Sequence, residues 1–126
     1  MPEHAGYHEP LDELSQAVRE RHRAIVSLTE ELEAIDWYDQ RVDATSDESL
    51  RAVLAHNRDE EREHAAMTLE WLRRNDPVWA EHLATYLDTQ GPITEIEADA
   101  QEAGDAAAAP SSSVDGSLGI GSLKGK

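Results

Sequence analysis

Glu61 and His64 lie three residues apart in a segment of helical periodicity, so both side chains leave the same face of one helix. At that spacing they can offer an oxygen and a nitrogen to a single metal ion. Both stand where a core-facing stripe calls for leucine, on the row Leu50, Leu54, Asn57, Glu61, His64, Thr68, Trp71. A third candidate, Glu31, sits at the edge of another apolar stripe, beside Leu28 and Leu32. Oxygen donors with one imidazole suit iron or manganese better than a soft metal. Glu30 and Glu33 flank Glu31, and clustered acids concentrate cations nearby. A plainer reading stays open: the run Asp59-Glu60-Glu61-Arg62-Glu63-His64 could be a solvated face, with His64 paired locally.

Two long helices must position these residues. Leu11, Leu14, Val18, Ile25, Leu28, Leu32, Ile35 and Val42 fall at spacings of three, four and seven, which predicts a helix from Leu11 to Val42. Thr45-Ser46-Asp47-Glu48 reads as a capping box that opens a second helix over about 46–74, and Asn75-Asp76-Pro77 stops it. A link of about three residues makes the two helices antiparallel neighbours. Glu31 is 14 residues before Thr45 and Glu61 is 16 after it, so the two come level within about one turn, ~5 Å. His64 lies one further turn along. Shorter helices are predicted at 78–89, filled by Trp79, Leu83, Tyr86 and Leu87, and at about 93–102 after Gly91-Pro92. Trp71, Trp79 and Tyr86 are expected to fill the core. No strand signal is present, and the fold class expected is all-α: a two-long-helix hairpin with short C-terminal helices.

Such a hairpin is half of a familiar arrangement. Di-iron sites in four-helix bundles take a Glu from each of two helices and Glu-x-x-His from each of two more. A symmetric dimer would supply two copies each of Glu31, Glu61 and His64, and would cover the apolar face that a lone hairpin leaves open. Four ionised carboxylates then offset two Fe²⁺ ions.

Composition narrows the field. The 126 residues include 27 acidic against 11 basic, a net charge of −16. That charge repels nucleic acid and anionic membranes. Nothing approaches a membrane span, and Met1-Pro2-Glu3-His4 lacks the start of a secretory signal. With no cysteine, disulfide frameworks, thiolate metal sites and cysteine nucleophiles are excluded. Residues 1–103 hold 25 acidic and 9 basic residues, whereas the remainder is balanced.

The predicted organisation is a flexible N-terminus (1–10), a helical domain (11–103), a disordered low-complexity linker (104–115) and a C-terminal peptide (116–126). That peptide repeats Gly-Ser-Leu within Gly116–Leu123 and carries Leu118, Ile120 and Leu123 among glycines that oppose a helix. An extended segment that inserts these apolar side chains into a partner's groove is the functional reading.

Ser27–Tyr38, His56–Ala65, Met67–Trp71, Thr85–Leu87 and the Gly-Ser-Leu-Gly-Ile-Gly-Ser-Leu tail together resemble the encapsulated ferritins. The resemblance implies a ferroxidase whose chains pair into a ferritin-like four-helix bundle, with two Fe at each dimer interface and dimers joined into an annular decamer. It implies that Glu31, Glu61 and His64 ligate iron, with Glu61 bridging. It places Trp37 and Tyr38 beside the centre and Glu30 and Glu33 at an iron entry site. It also implies that the tail addresses the chain to the inside of an encapsulin nanocompartment in a bacterial or archaeal cytoplasm. The alternative to an enzyme is a non-catalytic helical metal-binding or adaptor protein.

Overall fold

The structure is a computed structural model that describes residues 6–107. Every regular element among them is helical, as the sequence leads one to expect. They form two compact units, one ending at Asn75 and the other beginning at Asp76.

The first unit is the hairpin: a 3-10 turn at Leu11–Glu13, then α1 (Gln16–Ala44) and α2 (Glu48–Asn75) packed against each other. The first helix starts later than the apolar stripe suggests. Ser15 is its N-cap, and the hydroxyl accepts from the Val18 N–H at 3.1 Å. A serine hydroxyl satisfies one of the otherwise orphaned amides and so fixes the helix start. The preceding segment is held to α1 by the Tyr7–His22 stack, with ring centroids 4.0 Å apart, and by Arg19 Nη2 donating to the Leu11 carbonyl at 2.7 Å.

The link also differs from the expected capping box. Thr45 Oγ1 accepts from the Asp47 N–H at 3.2 Å, while Asp47 Oδ1 accepts from the Leu50 N–H at 3.0 Å. Asp47 therefore caps α2, two residues later than expected. Glu48 pairs with Arg51 instead of reaching back to Thr45. Arg51 in turn donates to the carbonyls of Val42, at 3.1 Å, and Thr45. A guanidinium at the negative end of α1 satisfies carbonyls that have no partner within the helix. Asp47→Ala should lower stability by about 1 kcal/mol, read as a lower urea midpoint.

The row of α2 that meets α1 lies one residue over from the stripe seen in the sequence. Arg51 and Arg58 both bond to α1, and continuing at the same spacing of seven reaches Ala65 and Leu72. These last two are the buried residues of the hairpin, at 8% and 1% exposed. The expected stripe stays only partly covered, and Leu50, Trp71 and, on α1, Ile25 and Leu32 are exposed. Two helices can cover only a narrow seam of each other, so a wide apolar face needs another layer. Trp71 and Trp79 are thus not core residues in the single chain, whereas Tyr86 is half-buried.

In the second unit α3 (Pro77–Tyr86) packs on α4 (Ile93–Ala107). Asp76 caps α3 by accepting from the Val78 and Trp79 N–H groups at 3.2 and 3.3 Å, with Pro77 in the first turn, where its missing N–H costs nothing. The helix ends before 89 because Asp88 turns to φ +60° and Thr89 Oγ1 donates to the Tyr86 carbonyl at 2.6 Å. The last helix runs to Ala107, so the first four residues of the expected linker are helical. Among the described residues, no helix is long and apolar enough to cross a membrane.

Candidate metal centre

Cross-helix hydrogen bonds give the height of each candidate ligand. Arg58 Nη1 donates to Asp39 Oδ1 at 2.9 Å, and Arg51 Nε donates to the Val42 carbonyl at 3.1 Å. Counting along α1 and α2 from these two pairs puts Glu31 level with residues between about 62 and 66, within roughly one turn of both Glu61 and His64. The height expected from the length of the link is therefore close, with His64 at least as near to Glu31's level as Glu61 is.

Glu61 and His64 leave one face of α2, with Glu61 Oε1 3.7 Å from His64 Nδ1. His64 Nε2 lies 3.9 Å from Glu60 Oε1. The imidazole is 44% exposed and the Glu61 side chain 28%. Thr68, one turn on, donates to the His64 carbonyl at 3.0 Å, which ties its own side chain down. Glu31 is half-buried, and its Oε1 is fully covered with no hydrogen-bond partner. A covered carboxylate oxygen left without a donor costs on the order of 1–3 kcal/mol, so it is a natural place to receive a cation. The donor set thus fits iron in type. Within one chain, however, no group of three or more His, Asp or Glu among the described residues is arranged to hold a metal ion. The convergence of three ligands expected from the sequence is not met by one hairpin.

The neighbouring aromatics are placed differently from each other. Tyr38 is half-buried and carries the Arg41 guanidinium 5.5 Å from its ring centroid. Trp37 is 51% exposed. Glu30 and Glu33 are exposed on α1. The tail residues Leu118, Ile120 and Leu123 lie outside the described residues.

Arginine neutralises some of the hairpin's acids and not others. Glu20 pairs with Arg23, Glu48 with Arg51, Asp39 with Arg58, and Asp59 with Arg58 and Arg62. Glu70 accepts from Arg73 and Arg74, each at 2.7 Å. No arginine among the described residues pairs with Glu30, Glu31, Glu33, Glu61 or Glu63. The acids around the candidate ligands therefore keep a negative charge that no arginine offsets. A groove of about 410 Å³ between α1 and α2 has Glu20 as its one carboxylate, already neutralised by Arg23, and so is not the metal site.

The arginines also set how Glu70 titrates. Hydrogen bonds from Arg73, then Arg74, hold its carboxyl down at about 2 against an ordinary 4.5. A depressed carboxylate contributes stability that is full above the unfolded value and is lost as pH falls from about 4.5 through 2. Carbon-detected NMR should show the Glu70 carboxyl titrating near pH 2, and Arg73→Ala should raise that midpoint.

The antiparallel helical hairpin and its Glu and Glu-x-x-His donors are the elements of the ferritin-like class of helical proteins. A family profile described as EncFtn-like matches residues 6–90. Several relatives agree. An encapsulated ferritin-like protein of Rhodospirillum rubrum is 67% identical over 123 residues, covering 94% of this chain and 88% of its own length. A ferritin-like protein of Thermotoga maritima is 63% identical over 91 residues, covering 72% of this chain and 80% of its own. An encapsulin nanocompartment cargo protein of Myxococcus xanthus is 38% identical over 82 residues, covering 65% and 58%. Among solved structures, the crystal structure of a Nitrosomonas europaea protein superposes with a TM-score of 0.68 at 61% identity, covering 70% of this chain and 97% of that one. The chain belongs to the EncFtn-like family of encapsulated ferritin-like proteins.

Proposed function

We propose that the chain is a ferroxidase whose working unit is a dimer. Two hairpins pair through their exposed apolar faces, and Glu31, Glu61 and His64 of each hold two Fe²⁺ ions, the substrate, between them. The covered, partnerless oxygen of Glu31, level with the Glu61–His64 turn, is the observation that supports this most strongly. Glu30 and Glu33, free of arginine, draw Fe²⁺ toward the interface, and Glu61 bridges the two ions. Trp37 and Tyr38 lie next to the site, where Trp37's exposed ring can be covered by the second chain.

Four carboxylates balance the charge of two Fe²⁺. Each iron gives up one electron, so a pair reduces one dioxygen, with two protons, to hydrogen peroxide; peroxide can serve as oxidant in turn. Two Fe³⁺ exceed the four carboxylates by two charges, which favours hydroxide binding or release of the product. Dimers join into an annular decamer. The peptide 116–126 binds an encapsulin shell through Leu118, Ile120 and Leu123, so that oxidation and storage of iron take place inside the nanocompartment. The names of the Rhodospirillum rubrum and Myxococcus xanthus relatives support this placement.

Stopped-flow absorbance of Fe²⁺ mixed with aerated buffer tests the proposal. Oxidation should outrun a protein-free control. A chain that binds iron without changing its rate of oxidation is a metal-binding or adaptor protein instead.

A further inference from the structure

We propose that Arg58, held by Asp39, is a positioning residue: the cross-helix pair sets the height of Glu31 on α1 against Glu61 and His64 on α2. The inference rests on the proposed site. Asp39 continues the row Val18, Ile25, Leu32 at a spacing of seven, so a carboxylate stands where the row is otherwise apolar. It receives Arg58 Nη1 from the other helix at 2.9 Å, with Arg62 Nη2 behind at 3.9 Å. The Arg58 side chain is only 20% exposed, and Asp59 braces its Nε at 3.3 Å. Most other ion pairs of the hairpin join residues three or four apart on one helix and carry no information about register.

Apolar seams tolerate sliding, because one aliphatic contact replaces another. A polar pair is less forgiving, since a slip breaks the Arg58–Asp39 bond and leaves Arg58 only Asp59 on its own helix; polar groups in helix seams are known to fix register. The location matters as well. Arg58 is one turn from Glu61, and Asp39 is about two turns from Glu31. The seam beside the ligands is Ala65, whose small side chain offers little shape to resist a shift.

The chain has no cysteine, so spin labels at Ser27→Cys and Ala52→Cys, both exposed positions, report the α1–α2 offset cleanly. Labelled full-length chains diluted with unlabelled ones are measured by pulsed electron–electron resonance, alongside iron oxidation by the unlabelled variants. Arg58→Ala should shift or split the distance distribution by up to about one turn, ~5 Å. It should lower the rate at saturating Fe²⁺ by about tenfold or more, since displacements near 1 Å are costly at a reacting centre. Arg58→Lys, which keeps a cation between Asp39 and Asp59, should leave both closer to the wild type than Arg58→Ala does. An unchanged distance distribution in Arg58→Ala overturns the inference whatever the rate does. Should that variant fail to fold, Asp39→Asn decides: a shifted or split distance distribution supports the inference, and the original distance overturns it. A wild-type chain that does not oxidise iron while Arg58→Ala still shifts the distance defeats the ferroxidase reading and leaves the register role standing.

Discussion

Glu61→Ala should abolish the protein-dependent part of Fe²⁺ oxidation. Glu61 is the ligand proposed to touch both irons, so its removal weakens both positions. Groups standing behind a metal's ligands are already typically worth 10–100-fold, which puts the expected loss beyond about 100-fold. Glu31→Ala and His64→Ala should give losses of similar size, and a triple variant should be little worse than any one, because groups that act as a unit do not add. Glu31 provides a second, independent reading of the same hypothesis. Its Oε1 is covered and unpartnered, a cost that Glu31→Leu removes. The metal-free Glu31→Leu protein should therefore resist urea better than the wild type while oxidising iron no faster than buffer. Lower stability in that variant, or an unchanged rate in all three alanine variants, would falsify the assignment of this carboxylate as a ligand.

Deleting residues 116–126 should empty a co-expressed encapsulin shell of this chain and leave iron oxidation by the free protein unchanged. Full burial of three aliphatic side chains offers each about 1.5–3 kcal/mol before the cost of ordering the peptide. One tail is then a modest ligand. Under the proposed assembly, several tails on one oligomer would bind the inner wall together, and the effective concentration of the second and later contacts would multiply the affinity. Leu118→Asp should reduce loading for the same reason. Co-purification of the truncated chain within shells would show that something other than the tail carries the address.

Much of the hairpin is legible in the sequence itself. The long amphipathic stripes, the stop at Asn75-Asp76-Pro77 and the polar pair Glu61 and His64 on an apolar row define the hairpin and its candidate ligands from spacing alone. Other features depend on three-dimensional placement. Thr45, Ser46 and Asp47 can each cap a helix, and only the path of the link selects Asp47. The row of α2 that faces α1, Arg51, Arg58, Ala65 and Leu72, mixes charge with apolar groups, so no hydropathy pattern marks it. The Asp39–Arg58 bond joins residues 19 apart, and each looks like an ordinary surface charge until the helices are laid side by side. The covered oxygen of Glu31 was invisible for a related reason, since burial of one atom follows from a neighbour on another helix.

The hairpin buries Ala65 and Leu72 and leaves Ile25, Leu32, Trp37, Leu50, Val53, Met67 and Trp71 largely in contact with water. Under the proposed pairing, a solitary chain has little to keep it folded, and its thermal midpoint becomes a function of how much protein is present. Dilution would act as a denaturant. A closed compartment prevents dilution: copies confined in a small volume meet one another at a concentration that does not depend on how much the cell makes. The shell would then keep its contents folded as well as enclosed.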